Sequence, residues 1–217
     1  MKGFLIPLIL FAGCICAAAQ TPFYCTQAGT TLEYVRTKAD DGKVVWNHRL
    51  SVLENKAGQV RCNSLFTKDN GKQIASVDYT AKIDADGAVT TDLNATLMSA
   101  IKNFLPKADI KADYSPTTLP GTLTPGATLP DAASVITVLG RPFRTTVTER
   151  KVLRTETLKT PAGTFPCTVV TEHKIEKFFL YNRDTISYTW YSAGIGMVRH
   201  DTWKNGRCET SEVLVSF

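Results

Sequence analysis

Ala75-Ser76-Val77-Asp78-Tyr79-Thr80-Ala81-Lys82-Ile83 is the stretch that decides the fold class of this chain. Apolar or aromatic side chains stand at every odd position, with Ser, Asp, Thr and Lys between them. A period of two places one set on one face of a β-strand and the other set on the opposite face. Asp69-Asn70-Gly71 precedes the stretch and Asp86-Gly87 follows it, and residues that tolerate positive φ let a strand reverse into an antiparallel neighbour. Upstream, Val44, Trp46, His48, Leu50 and Val52 alternate with Val45, Asn47, Arg49, Ser51 and Leu53, and Val60, Cys62, Ser64 and Phe66 continue the pattern. Residues 30–91 therefore read as an antiparallel meander with one buried face.

Downstream the pattern changes once. Leu93, Leu97, Ile101 and Phe104 fall at helical spacing and Pro106 ends the run, which predicts a helix of about three turns over 93–105. Its apolar stripe needs a surface to bury it, and the concave face of the meander is the nearest one. Between Tyr114 and Asp131 lie Pro116, Pro120, Pro125 and Pro130 with Gly121 and Gly126, a composition that predicts a long crossing loop. Short strands resume near 133–139 and 143–158. Pro161-Ala162-Gly163 then turns the chain into Phe165, Cys167, Val169, Thr171, His173 and Ile175 on one face, and Ile186, Tyr188 and Trp190 form a further face. Asn205-Gly206 is a two-residue hairpin signal between 197–204 and 207–216.

Residues 1–19 read as a secretory signal peptide. Lys2 supplies the charged start, Phe4 to Ala12 the apolar centre, and Ala17-Ala18-Ala19 the small-residue cleavage site before Gln20. Phe11-Ala12-Gly13-Cys14 offers a competing reading, cleavage and acylation on Cys14 as in a bacterial lipoprotein. The apolar run is too short for a membrane span, which needs ~20 residues. Either way the chain is exported, periplasmic or extracellular, and residues 20–217 form a single domain. Formal charge is +5, but the basic residues are scattered among acidic ones, whereas nucleic-acid binding asks for a basic patch.

Removal of the leader leaves Cys25, Cys62, Cys167 and Cys208. An even number in an oxidising compartment makes them disulfide candidates, with buried free thiols the alternative. Their wide spacing excludes a zinc motif, so no metal or cofactor is expected. His48, His173 and His200, the three imidazoles of the chain, show no ligand spacing, and no Gly-x-Ser-x-Gly elbow is present. No catalytic residue is assigned and the chain reads as a non-enzyme. Aromatic side chains pack β cores, but on a curved sheet they can also line an apolar pocket. Trp46, Tyr79, Leu97, Ile101, Tyr188 and Trp190 are the candidate ligand-binding residues. Phe178-Phe179-Leu180-Tyr181 breaks the alternation and reads as a strand end or an exposed tip.

Leu129-Pro130-Asp131, Thr160-Pro161-Ala162-Gly163-Thr164-Phe165-Pro166-Cys167 and Trp190-Tyr191-Ser192-Ala193-Gly194-Ile195-Gly196-Met197-Val198-Arg199 resemble, in order and spacing, the TapB-like family of uncharacterised bacterial envelope proteins. Cys25 followed by Gly29-Thr30-Thr31-Leu32-Glu33-Tyr34 is similar to that family's start. Such proteins look like relatives of the lipoprotein carriers LolA and LolB. The resemblance implies a mainly β (α+β) fold, a strongly curved antiparallel sheet forming a half-open barrel, with the short helix and the Pro-rich loop covering its concave side. The family itself has no agreed biochemical role, and fold alone confers none; the function expected from an apolar concavity is holding a lipid, a lipoprotein acyl chain or another hydrophobic ligand. The alternative is a structural or protein-interaction module of the envelope with a filled core, docked on another envelope protein.

Overall fold

The computed structural model describes residues 20–95, 98, 107 and 109–217. Thirteen strands form one antiparallel sheet: β1 (Thr31–Lys38), β2 (Val44–Lys56), β3 (Gln59–Thr67), β4 (Gln73–Ile83), β5 (Val89–Asp92), β6 (Ile110–Ala112), β7 (Pro116–Leu119), β8 (Ala132–Val138), β9 (Arg141–Thr160), β10 (Gly163–Phe178), β11 (Tyr181–Ser192), β12 (Gly196–Lys204) and β13 (Arg207–Ser216). The spatial order is β6-β8-β9-β10-β11-β12-β13-β1-β2-β3-β4-β5-β7. Two hairpin-linked meanders are thus joined where β13 pairs with β1.

The topology itself dictates the curvature. β6 and β7 are the two edges of the sheet, yet only residues 113–115 separate them in the chain. That short link spans at most ~14 Å at the ~3.3–3.6 Å each residue can reach, so the sheet must curl until its edges approach. No ladder joins them, and the barrel stays open along one seam. Side chains bridge the gap instead. Arg150 on β9 donates to the Thr118 carbonyl on β7 and to the Pro130 carbonyl (3.2 and 2.7 Å), and Asn94 donates to the Asp113 carbonyl (2.7 Å).

The Pro-rich segment is not a single loop over the concave side. Pro116 opens strand β7, an edge position where the missing N–H removes no ladder bond. Residues 126–129 pair along the distal half of β9, through bonds between Gly126 and Val152 and between Leu129 and Arg150. Gly121 is fixed by a close approach: a Cβ there would lie 2.0 Å from the Asp86 carbonyl oxygen. The helix expected over 93–105 lies for the most part outside the described residues. Ala95 and Met98 have helical backbone, and the Met98 N–H donates to the Asn94 carbonyl.

Residues paired across a ladder share a face, so the register propagates the concave side from strand to strand. It runs through Leu32 and Tyr34, Leu50 and Val52, Cys62, Val77 and Tyr79, and, on the far side, Val147, Val152, Val170, Val198 and Leu214. A bulge on β9 shifts this parity. Thr148 and Lys151 pair with His173 and Thr171, leaving Glu149 and Arg150 opposite Glu172. Glu149 takes φ 53° there, and the extra residue turns Arg150 into the interior in place of Glu149.

Candidate functional site

The concave face changes character along the barrel axis, and it does so on six adjoining strands of the sheet, β10 to β13 with β1 and β2. β1 passes from Leu32 and Tyr34 to Arg36, and β2 from Val52 and Leu50 through His48 to Trp46. β10 passes from Val170 to Glu172 and Lys174, and β11 from Tyr191 through Thr189, Ser187 and Thr185 to Arg183. β12 and β13 follow with Val198 to His200 and Thr202, and Leu214 to Glu212 and Thr210. The interior is therefore apolar towards one end and polar towards the other.

Each half contains a cavity. The apolar one measures about 310 Å³, walled by Tyr24, Leu50, Val89, Leu119, Tyr191 and Met197, with Tyr34 and Tyr79 among its neighbours. Its phenols are neutral, because burial pushes Tyr79 and Tyr191 up to about 12 and Tyr24 and Tyr34 further still. Tyr24 from the N-terminal segment bonds both Tyr79 (3.0 Å) and the Cys62 thiol (3.3 Å). Arg150 and Glu172, 3.5 Å apart, are the ionic pair on its wall.

The polar cavity, about 320 Å³, shares Glu172 with the first and is lined by Arg36, Trp46, Lys174, Arg183, Ser187 and His200. Arg36 donates to Thr202 and Thr210 (2.6 and 2.7 Å) and pairs with Glu212 (3.3 Å), while its guanidinium lies 4.7 Å over the Trp46 ring. Lys174 pairs with Glu176 (3.3 Å), and Arg183 with Glu209. Burial opposes charge on Glu212, but the His48 hydrogen bond and the nearby Arg36 guanidinium help to outweigh it and hold that carboxyl below its ordinary value. Burial, reinforced by Arg36, pushes His200 down to about 4. Two polar atoms here lack protein partners, the Ser187 hydroxyl and the Trp46 indole N–H. Both belong to residues that line the cavity.

Between the chambers runs a chain of bonds that sequence spacing could not reveal. His48 Nδ1 is 2.9 Å from Glu212, and its Nε2 is 3.2 Å from the Ser64 hydroxyl. The order Ser-His-carboxylate is that of an activated nucleophile. Ser64, however, is buried in mid-strand and lines neither chamber, and the His48 ring is sandwiched between Phe66 and Tyr34 (4.3 and 5.2 Å). Among the described residues, no three His, Cys, Asp or Glu side chains form a metal-binding cluster.

Of the residues proposed from sequence, Tyr79 lies on the apolar chamber and Trp46 on the polar one. Tyr188 and Trp190 fall on the convex face, since Ser187 and Thr189 are the inward residues of β11. There Tyr188 packs on Trp203, and Trp190 donates to Glu156 beneath the Arg199 guanidinium. Leu97 and Ile101 lie outside the described residues. The disulfide expectation is corrected: Cys25, Cys62, Cys167 and Cys208 are free thiols. Cys62 projects into the concave core, whereas Cys167 and Cys208 sit on convex-face positions of β10 and β13. Burial pushes the thiols of Cys62, Cys167 and Cys208 up, Cys167 to about 11. Tyr34, Arg36, Arg150, Glu172, Ser187 and His200 were not picked out from the sequence. Their alternation was visible, but polar residues on a strand read as a solvated face.

A curled, unclosed antiparallel sheet with a two-part interior defines the class of protein. The DUF3108-like family matches residues 27–214, and the chain belongs to that family. No curated protein matches it significantly. The crystal structure of a Bacteroides fragilis protein, described as exported with a YmcC-like fold, is similar at TM-score 0.72 and 22% identity, covering 90% of this chain and 98% of that one. A Parabacteroides distasonis protein, described as a lipoprotein, is similar at TM-score 0.71 and 21% identity, covering 90% and 98%. These likenesses establish a shared fold. Neither the family nor these two structures carries the TapB, LolA or LolB names.

Proposed function

We propose that this is an exported, non-enzymatic binding protein that holds one amphiphilic molecule in its half-barrel, apolar part in the 310 Å³ chamber and polar head in the adjoining 320 Å³ chamber. The observation that carries the reading is the axial change from apolar to polar side chains on successive concave strands. A core built only to fill itself gains nothing from largely burying Arg36 beside an unpartnered Ser187 hydroxyl, with the part-exposed Lys174 and Arg183 on the same wall. Export is supported by the leader-like residues 1–19, and lipid-carrier kinship and a Cys14 anchor belong to the same proposal. The two structural neighbours are described as an exported protein and a lipoprotein.

Volume limits the ligand. A cavity of ~150 Å³ accommodates benzene, so the apolar chamber suits about a dozen heavy atoms, one short chain and not the several acyl chains of a mature lipoprotein. Ten methylenes contribute about 8 kcal/mol before association costs, which sets a Kd no tighter than about micromolar. Native mass spectrometry after gentle purification should show a co-purifying single-chain amphiphile, and Val147→Trp should abolish its retention. An empty protein that also fails to bind a dodecyl-chain fluorescent probe would favour the structural-module reading. Ser64-His48-Glu212 is the observation favouring chemistry, and its closed surroundings argue for a structural network instead.

A further inference from the structure

The two-residue turns of this sheet are not built alike. β12 and β13 are joined by Asn205-Gly206, with φ 50° and 74°, the pairing that a type I′ hairpin favours. β8 and β9 are joined by Leu139-Gly140, with φ 50° and 75°. The backbone is the same, but the left-handed position holds Leu, whose side chain is 64% exposed. β10 and β11 turn through Phe179-Leu180, with Phe179 at φ 51°. Phe179 is 72% exposed and Leu180 87%. A bulky apolar residue at positive φ is disfavoured, and an exposed one gains no burial in return. At both tips the sequence departs from turn chemistry and from core chemistry together.

The two tips also adjoin. Strands β9 and β10 pair up to Arg144 and Lys177, Phe143 packs on Phe178 (5.9 Å), and the Arg141 guanidinium lies 4.6 Å over the Phe179 ring. Leu139, Phe179, Leu180 and the half-exposed Tyr181 thus form one apolar prominence. Around it stand Arg141, Arg144 and Lys177, none of which has an ion pair among the described residues, and no acid occurs in 139–144 or 177–182. The carboxylates around it are engaged: Asp109 with Lys111, Asp184 with His173, and Glu176 and Glu209, the two that act on Tyr181, with Lys174 and Arg183. Apolar side chains ringed by unpaired cations match the interface of an anionic bilayer.

We infer that the paired β8–β9 and β10–β11 turns are a membrane-docking tip that inserts Leu139, Phe179 and Leu180 into the headgroup region of an anionic bilayer. The inference is independent of whether the cavities hold a ligand. The experiment is vesicle co-sedimentation with neutral phosphatidylcholine vesicles and with vesicles containing 30% phosphatidylglycerol. All proteins carry Cys14→Ser, so that no acyl anchor contributes. The parent protein should bind the anionic vesicles, with affinity falling as salt rises. Leu139→Asn with Phe179→Asn should weaken binding at least tenfold while the melting temperature stays level or rises, because Asn suits both left-handed positions. Arg141→Gln and Lys177→Gln should each cost about fivefold. Leu180→Ser, at ordinary φ, repeats the test should the double variant fold poorly. No anionic preference, or undiminished binding by the Asn variant, overturns the inference. So does a lipid-independent dimer that the Asn variant abolishes, which would make the tip a contact between copies.

Discussion

Lowering the pH from 7.5 to 4 should destabilise the barrel through His200, and His200→Asn should remove that part of its acid sensitivity. The imidazole is half-buried on the inner face of the sheet, with Nδ1 2.8 Å from the Thr189 hydroxyl and Nε2 3.4 Å from that of Thr202. The charges facing it are Arg36 and Lys174, which oppose protonation, and Glu212 and Asp201, which favour it. Burial and the cations prevail, so the folded value falls from 6.5 to about 4. Between those values the unfolded chain binds more protons than the folded one, and stability therefore falls as pH falls. Integration gives about 1.4 kcal/mol lost at pH 5.5 and about 3 kcal/mol at pH 4. Glu212 adds to the loss only lower down: its carboxyl is depressed, so its contribution is present above the ordinary 4.5 and disappears below it. Asn can still bond Thr189 but cannot titrate. Urea unfolding of the two proteins at pH 7.5, 5.5 and 4 should give curves that converge by about 3 kcal/mol on acidification. Parallel pH profiles would refute the claim that a neutral His200 sits in the polar chamber.

Arg150→Met should cost about 3 kcal/mol, because it leaves Glu172 and two seam carbonyls without their cation. Hydrogen exchange should rise at the β7 edge and not in β11–β13, and uniform protection would show that Arg150 does not close the seam. A fluorophosphonate probe should leave Ser64 unlabelled in the folded protein, whereas stoichiometric labelling that His48→Ala abolishes would establish a hydrolase. Cys25, Cys62, Cys167 and Cys208 should all alkylate under denaturing, non-reducing conditions, and a disulfide-linked peptide pair in the digest would contradict free thiols.

The first meander was legible because its concave face is the apolar one. Ala75, Val77, Tyr79 and Ala81 read inward and are inward. The second half hid its site for the same physical reason that made the first half plain. Hydrophobicity assigned Ile186, Tyr188 and Trp190 to the interior, but β10–β11 register turns Thr185, Ser187 and Thr189 inward. Reversing the inside and outside of a strand requires knowing that the inside is polar, and alternation alone carries no sign. The β9 bulge was invisible too, since Glu149 and Arg150 are both charged and either suits an outer face. Pro116 illustrates a third limit: a proline forbids a central strand but permits the first residue of an edge, and only the topology shows where the edge falls.

Position along the axis links the two proposals. Arg183 lines the polar chamber and stands two residues from Tyr181 on the β10–β11 turn, and Lys174 and Glu176 lead along β10 to Phe178. The polar chamber therefore lies at the tip end, and the apolar chamber lies deeper. With Leu139 and Phe179 in a bilayer, an amphiphile would enter tail first, its chain passing the polar chamber and its head stopping among Arg36, Lys174 and Ser187 near the membrane surface. That order needs no helical lid, because the head itself would close the mouth. On this proposal Glu176, Glu209 and Glu212 would keep the cations of the chamber neutralised when the head is absent.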